Sequence, residues 1–205
     1  MLIVEKILIK KFGMAEYQPT VEAMRAFTAR RGADSPDELW LLEHPPVYTL
    51  GLAADSAHGP KAGGGIPVLQ VDRGGEITYH GPGQVVLYTL VDLARRGIKV
   101  KQFVAMLEQA VIDLLGSHAE RRSGAPGIYV GGAKIAALGI RVSRGCAYHG
   151  LALNVDMDLT PFSAINPCGY PGMQVTQTRD LGIKEDKETL GRILAGILVG
   201  KLEHA

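Results

Sequence analysis

The stretch GIYVGGAKIAALGIRVSRGCAYHGLALNV, residues 127–155, decides the fold class. It reads as three successive strands, 127–130, 133–142 and 147–155, with no helix between them. Gly131-Gly132 separates the first two. A glycine pair there is a strong hairpin signal, because the favoured two-residue turns need positive φ at the central positions. Working back from this stretch, Val100, Phe103, Val104, Leu107, Val111, Leu114 and Leu115 recur at three- and four-residue steps, which predicts a helix over roughly 100–117. Val85–Leu93 is a near-continuous apolar strand, and shorter strands are expected at 2–10, 39–42, 47–50 and 67–72. Val21, Met24 and Phe27 share one face of a helix over 19–30 that stops at Gly32. Working forward, Leu190, Ile193, Leu194, Ile197 and Leu198 mark a helix from about 187 to 202, with Asp186 as its N-cap. Strands often follow strands here, so the strict alternation of a doubly wound parallel sheet does not fit. The expected fold is α/β in the α+β sense: a mixed, largely antiparallel sheet with packed helices. It forms one domain over 1–205, with residues 51–66 as a mobile loop.

Bulk properties narrow the function classes. The chain has 205 residues, 46% hydrophobic and 21% charged, with a formal net charge of +1. It is long enough for a full core and carries no global electrostatic footprint for nucleic acid. Arg95, Arg96, Lys99 and Lys101, and then Arg121 and Arg122, read as solvated surface charge, the sharper alternative being a docking patch for an acidic protein. Cys146 and Cys168 are too few for a disulfide framework. No signal peptide or membrane segment is expected, since Glu5 and Lys6 interrupt the apolar N-terminus and the C-terminal apolar run is short and holds Arg192. The expected compartment is the reducing cytoplasm.

Four segments have a composition wrong for simple core packing. RGGEITYHGPGQ, residues 73–84, concentrates glycine where backbone entropy is costly, which points to positive φ or a ligand close to the main chain. It is neither a Walker A loop nor a dinucleotide fingerprint. Lys134 opens an otherwise small and apolar strand, in which Ala136, Ala137 and Gly139 leave room for an alkyl chain. The plain alternative is a strand-end lysine whose head reaches water. HGLALNV, residues 149–155, could complete an apolar tunnel or simply pack in the core. In INPCG, residues 165–169, Cys168 lies between proline and glycine, a turn rather than a packed core. Cys146, at a strand entry, is the competing thiol. His80 and His149 are polar groups near these segments and belong to no metal-ligand pattern.

Taken together, LEHPPVYTLG, RGGEITYHGPGQVVLY, GIYVGGAKIAALGIRV, YHGLALNV and INPCG closely resemble, in order and spacing over residues 40–170, the octanoyltransferases of protein lipoylation, relatives of the lipoate and biotin protein ligases. Departures are modest: GIYV stands where a tryptophan is frequent, and Gly51-Leu52-Ala53 where an arginine is expected. The resemblance implies a biotin/lipoate protein ligase-like catalytic domain with a catalytic Cys–Lys pair that maps onto Cys168 and Lys134. It also implies substrate-binding segments at Arg73, Gly74, Gly75, Glu76, Ile77, Thr78, Tyr79 and His80, at Ala137, Leu138 and Gly139, and at Gly150, Leu151 and Ala152. It implies octanoyl-acyl carrier protein as donor, and as acceptors the lipoyl domains of 2-oxo acid dehydrogenases and the glycine cleavage H protein. No cofactor, metal, nucleic acid or membrane is implied. An ATP-dependent ligase on the same fold is the alternative.

Overall fold

The computed structural model describes residues 7–54, 60, 65–165 and 172–205. Its main sheet has seven strands. In chain order they are β1 (Ile7–Met14), β2 (Asp37–Glu43), β6 (Gln84–Asp92), β7 (Ala119–Arg121), β8 (Ile128–Val130), β9 (Ala133–Ser143) and β10 (Cys146–Asn154), arranged β1-β2-β6-β10-β9-β8-β7. Only β1 and β2 pair in parallel; every other neighbouring pair is antiparallel. A smaller sheet, β4 (Val68–Gln70), β3 (Val47–Leu50) and β5 (Ile77–His80), is also mixed. The expected mixed, largely antiparallel architecture is the one observed.

Period-two alternation divides the main sheet between two cores. Leu39 and Leu41 on β2, Val85 and Leu87 on β6, and Leu151 and Leu153 on β10 pack against α2 (Val100–Leu115) and α3 (Lys187–Glu203). Their alternates Trp40, Leu42, Val86, Tyr88 and Ala152 face α1 (Tyr17–Arg30) through Tyr17, Val21 and Met24. A third cluster joins Tyr48, Ile77, Tyr79, Phe162 and Ile165. Asp186 caps α3, its carboxylate accepting from the Thr189 N–H at 2.8 Å, as the helix-start pattern requires. The Gly131-Gly132 turn has φ of 55° and 89°, the two positive angles of a tight hairpin.

Several expectations are corrected. The first strand runs to Met14, not residue 10, and its expected start at residues 2–6 lies outside the described residues. The glycine-rich segment 73–84 holds strand β5, and β7 is an added edge strand. Arg95 and Arg96 are not solvated surface charge. Both turn inward onto Asp37, Arg95 at 3.0 Å and Arg96 at 2.6 Å, and Arg31 joins them on the same fully buried carboxylate. Burial alone would raise the Asp37 pKa. The Asp92 N–H, Arg96 and Arg31 outweigh it and hold the carboxyl below its ordinary value. Breaking a buried pair of this kind costs about 3–5 kcal/mol, so the cluster fixes the junction of α1, β2 and β6. Arg121 is surface charge as expected, paired with Glu108 at 3.0 Å. No helix among the described residues is long and apolar enough to cross a membrane.

Candidate active site

Lys134 sits at the start of β9, where the strand pairing slips. Ile128 pairs with Ala136 but Tyr129 pairs with Lys134, so Ile135 is an extra residue on the β9 side. A bulge of this kind bends the strand and re-aims a side chain. The Lys134 side chain turns into the protein, and the residue is only 4% exposed. Its Nζ donates to the Pro126 carbonyl at 3.0 Å and lies 5.6 Å from the centre of the Tyr129 ring. The strand-end lysine reaching water is therefore not what forms. On the other edge, Lys134 N–H donates to the Gln174 carbonyl at 2.8 Å and its carbonyl accepts from Thr176 N–H at 3.0 Å. This clamps the chain that follows the 165–171 region to the lysine's backbone.

Gly127 makes room for this arrangement. Its φ is 140°, and a Cβ there would lie 2.4 Å from Lys134 Cε and 2.9 Å from Nζ. Gly127→Ala is expected to move the Lys134 side chain and slow turnover by up to about 10²-fold, the cost an ångström of misplacement near a site can carry. Strain at such a φ adds about 1–3 kcal/mol of destabilisation. Kinetics on protein shown by a thermal melt to be folded checks this; unchanged turnover would mean the lysine's position is unimportant.

Lys134 borders a cavity of about 360 Å³, within the usual range for small-molecule sites. The cavity takes in all three predicted substrate segments: Arg73 to Thr78 and His80, Ala137 to Gly139, and Gly150 to Ala152. Cross-strand pairing explains the room. Ala137 lies opposite Ala152 and Gly139 opposite Gly150, so small residues meet in pairs across β9 and β10. Leu138 and Leu151, also opposed, pack toward the helical core, and Val104 and Leu107 of α2 extend the apolar wall. Leu153 belongs to the core alone. Tyr79 lies behind the lining, its ring against Tyr48 and Phe162. Gly81 and Gly83 serve packing: a Cβ would strike the Tyr79 hydroxyl at 2.3 Å or the Asp156 carbonyl at 1.9 Å.

Several other lining residues are polar and buried. Arg73 Nη2 donates to the Thr49 carbonyl at 2.7 Å and hydroxyl at 2.8 Å. His149 adopts φ of 62° inside β10, a left-handed angle uncommon off glycine. The Thr89 hydroxyl satisfies its carbonyl at 2.9 Å. His149 Nε2 donates to Asp72 at 2.9 Å, and Asp72 also receives the Tyr148 hydroxyl at 2.6 Å and Arg25 at 3.0 Å. The His149 hydrogen bond, followed by those of Arg25 and Tyr148, holds the Asp72 carboxyl well below the usual range, while burial pushes the His149 pKa down against the pull of Asp72. Gln84 and Asn154, inside the segments 73–84 and 149–155, border the cavity too, and so do Tyr17, Tyr88 and Phe162, which the sequence did not point to. These three lie on three separate elements, so no local pattern marks them.

Cys168 lies outside the described residues, as does the rest of its motif after Ile165 and most of the 51–66 loop. Cys146, the competing thiol, is buried and free. Burial pushes its pKa up, which disfavours the reactive thiolate. Among the described residues no group of three or more His, Cys, Asp or Glu side chains could hold a metal ion.

Residues 16–189 match the lipoyl protein ligase A/B catalytic domain family, the class to which this fold and cavity belong. The fold is shared with the bipartite lipoate protein ligase of Thermoplasma acidophilum (TM-score 0.73, 14% identity, 97% of this chain and 85% of the other). It is shared more distantly with the biotin protein ligase of Aquifex aeolicus bound to biotin and ATP (TM-score 0.57, 10% identity, 97% and 70%). An octanoyltransferase of Thiobacillus denitrificans is 62% identical over 195 residues, covering 94% of this chain and 89% of that protein. The chain belongs to the octanoyltransferase family.

Proposed function

We propose that this chain moves an octanoyl group from octanoyl-acyl carrier protein, through a thioester on Cys168, to a lysine of a lipoyl domain. The acceptors are the lipoyl domains of 2-oxo acid dehydrogenases and the glycine cleavage H protein, and the setting is the cytoplasm. The observation that carries the reading is the buried Lys134 beside the small-residue cavity. Its backbone is clamped to residues 174–176, and seven positions separate Cys168 from Val175.

The chemistry divides into two balanced steps. First, the Cys168 thiol gives its proton to the Lys134 amine. The thiolate forms a bond to the octanoyl carbonyl carbon, and the donor's sulfur leaves and takes that proton back from Lys134. The acyl group exchanges one thioester for another at little free-energy cost. Second, the acceptor lysine amine forms the C–N bond, Cys168 sulfur leaves with the C–S electron pair, and the surplus amine proton goes to Lys134. An amide replaces a thioester, so this step runs downhill without ATP.

Purified protein incubated with octanoyl-acyl carrier protein and a lipoyl domain, without ATP, is expected to give octanoylated domain by mass spectrometry. Modification only with free octanoate plus ATP would establish the ligase reading instead.

A further inference from the structure

One wall of the cavity contains a chain of buried amides that the two steps above leave unused. Gln84 Nε2 donates to Asn154 Oδ1 at 3.0 Å and to the Tyr79 carbonyl at 3.3 Å. Asn154 Nδ2 donates to the Thr176 carbonyl at 3.0 Å, and Thr176 N–H donates to the Lys134 carbonyl at 3.0 Å. Backbone carbonyls only accept, so each amide has one allowed orientation; turning either would set oxygen against oxygen. Gln84 Oε1 therefore faces His80 Nδ1, 2.8 Å away, and that nitrogen must carry the hydrogen. The other ring nitrogen, Nε2, is then a bare lone pair. Among the described residues it has no hydrogen-bond partner, and the ring borders the same cavity as Lys134. Burial first, and then the nearby His44, pushes the His80 pKa down to about 3, so the ring stays neutral and this assignment holds at working pH.

We propose that His80 Nε2 accepts a hydrogen bond from the attacking amine of the acceptor lysine and aims its lone pair at the acyl carbon, with Gln84 and Asn154 as positioning residues that fix the tautomer. The proposal rests on the acyl-transfer reading of the cavity. The choice of step follows from donors and acceptors. A thiolate and a thioester offer no hydrogen at the reacting atoms, whereas a neutral amine offers two. An Nε2–H would do the reverse and tie up the lone pair that must attack. So weakly basic an imidazole orients the amine without taking its proton, which passes to Lys134 as above.

Three measurements test this. In protein carrying ¹⁵N-histidine, the His80 resonances are expected to show protonated Nδ1 and bare Nε2 throughout the neutral range; protonated Nε2 would overturn the proposal. In single-turnover assays with octanoyl-acyl carrier protein and then a lipoyl domain, His80→Asn is expected to slow aminolysis at least about tenfold more than acylation. Asparagine keeps a donor for Gln84 but has nothing at the Nε2 position, so equal slowing of both steps would mean a merely structural histidine. Gln84→Met nearly keeps the volume but removes the acceptor that holds the hydrogen on Nδ1. On folded protein it is expected to slow aminolysis more than acylation, and equal slowing would refute the positioning role. If the wild-type protein never loads octanoyl, the acyl-transfer reading fails and takes this proposal with it. Loading with the wrong tautomer sinks only the proposal.

Discussion

Cys168→Ala is expected to leave a protein that acquires no octanoyl mass from octanoyl-acyl carrier protein and transfers none to a lipoyl domain. Loss of a covalent nucleophile removes the reaction path rather than weakening it, and drops of about 10⁴-fold or more are usual. The matching control is Cys146→Ala. That thiol is 6% exposed, lies 3.8 Å from the Arg144 carbonyl, and is pushed toward the unreactive protonated form by burial. Its removal is expected to leave acyl loading intact, with at most a small stability loss for the missing sulfur. Intact-mass spectrometry after a short incubation with donor reads both variants directly. An octanoyl adduct that persists in Cys168→Ala and vanishes in Cys146→Ala would reverse the assignment, and the cavity would then need a different entrance for the thioester.

Most of the main sheet was legible because its signals are local. The Gly131-Gly132 turn and the apolar runs on either side of it set β8, β9 and β10 within a residue or two of their observed ends. The helices α2 and α3 declared themselves through their apolar stripes. Strand β5 was hidden because its four residues lie inside a glycine-rich run that reads as a turn. Arg95 and Arg96 were misread for a different reason. Their partner Asp37 is nearly sixty positions away, and a charge run carries no trace of a distant buried carboxylate. The candidate site divides along the same line. The small residues of β9 and β10 follow from composition, and their face-to-face pairing follows from the hairpin. The slip that leaves Ile135 unpaired changes where Lys134 points, yet a one-residue bulge leaves the hydrophobic alternation almost intact. The chain from His80 through Gln84 and Asn154 to Thr176 joins three segments of the fold, so only the assembled sheet reveals it.

Lys134→Met should slow acylation by about 10²- to 10³-fold near neutral pH, within the range of a lost general acid–base partner. Methionine nearly preserves the volume of the buried stem, so the packing around Gly127 and Tyr129 should survive and the loss should be one of charge and proton transfer. The pH dependence separates these ideas from a general loss of structure. An ordinary cysteine has a pKa of about 8.5, so without a neighbouring cation its thiolate fraction rises about tenfold per pH unit up to that value. The variant's deficit should therefore shrink as the assay pH is raised from 7 toward about 9, and Gly127→Ala should show the same trend in weaker form, since it displaces the ammonium without deleting it. Lys134→Arg keeps the charge but is not expected to rescue. The space beside Gly127 already excludes a single methyl group, and a planar guanidinium is wider than an ammonium. Acylation rates for the three variants across that pH range, measured on protein whose melting curve shows a folded state, decide the matter. A deficit that stays constant with pH would mean Lys134 does not act through the thiol, and its burial would then be a packing feature of the bulge.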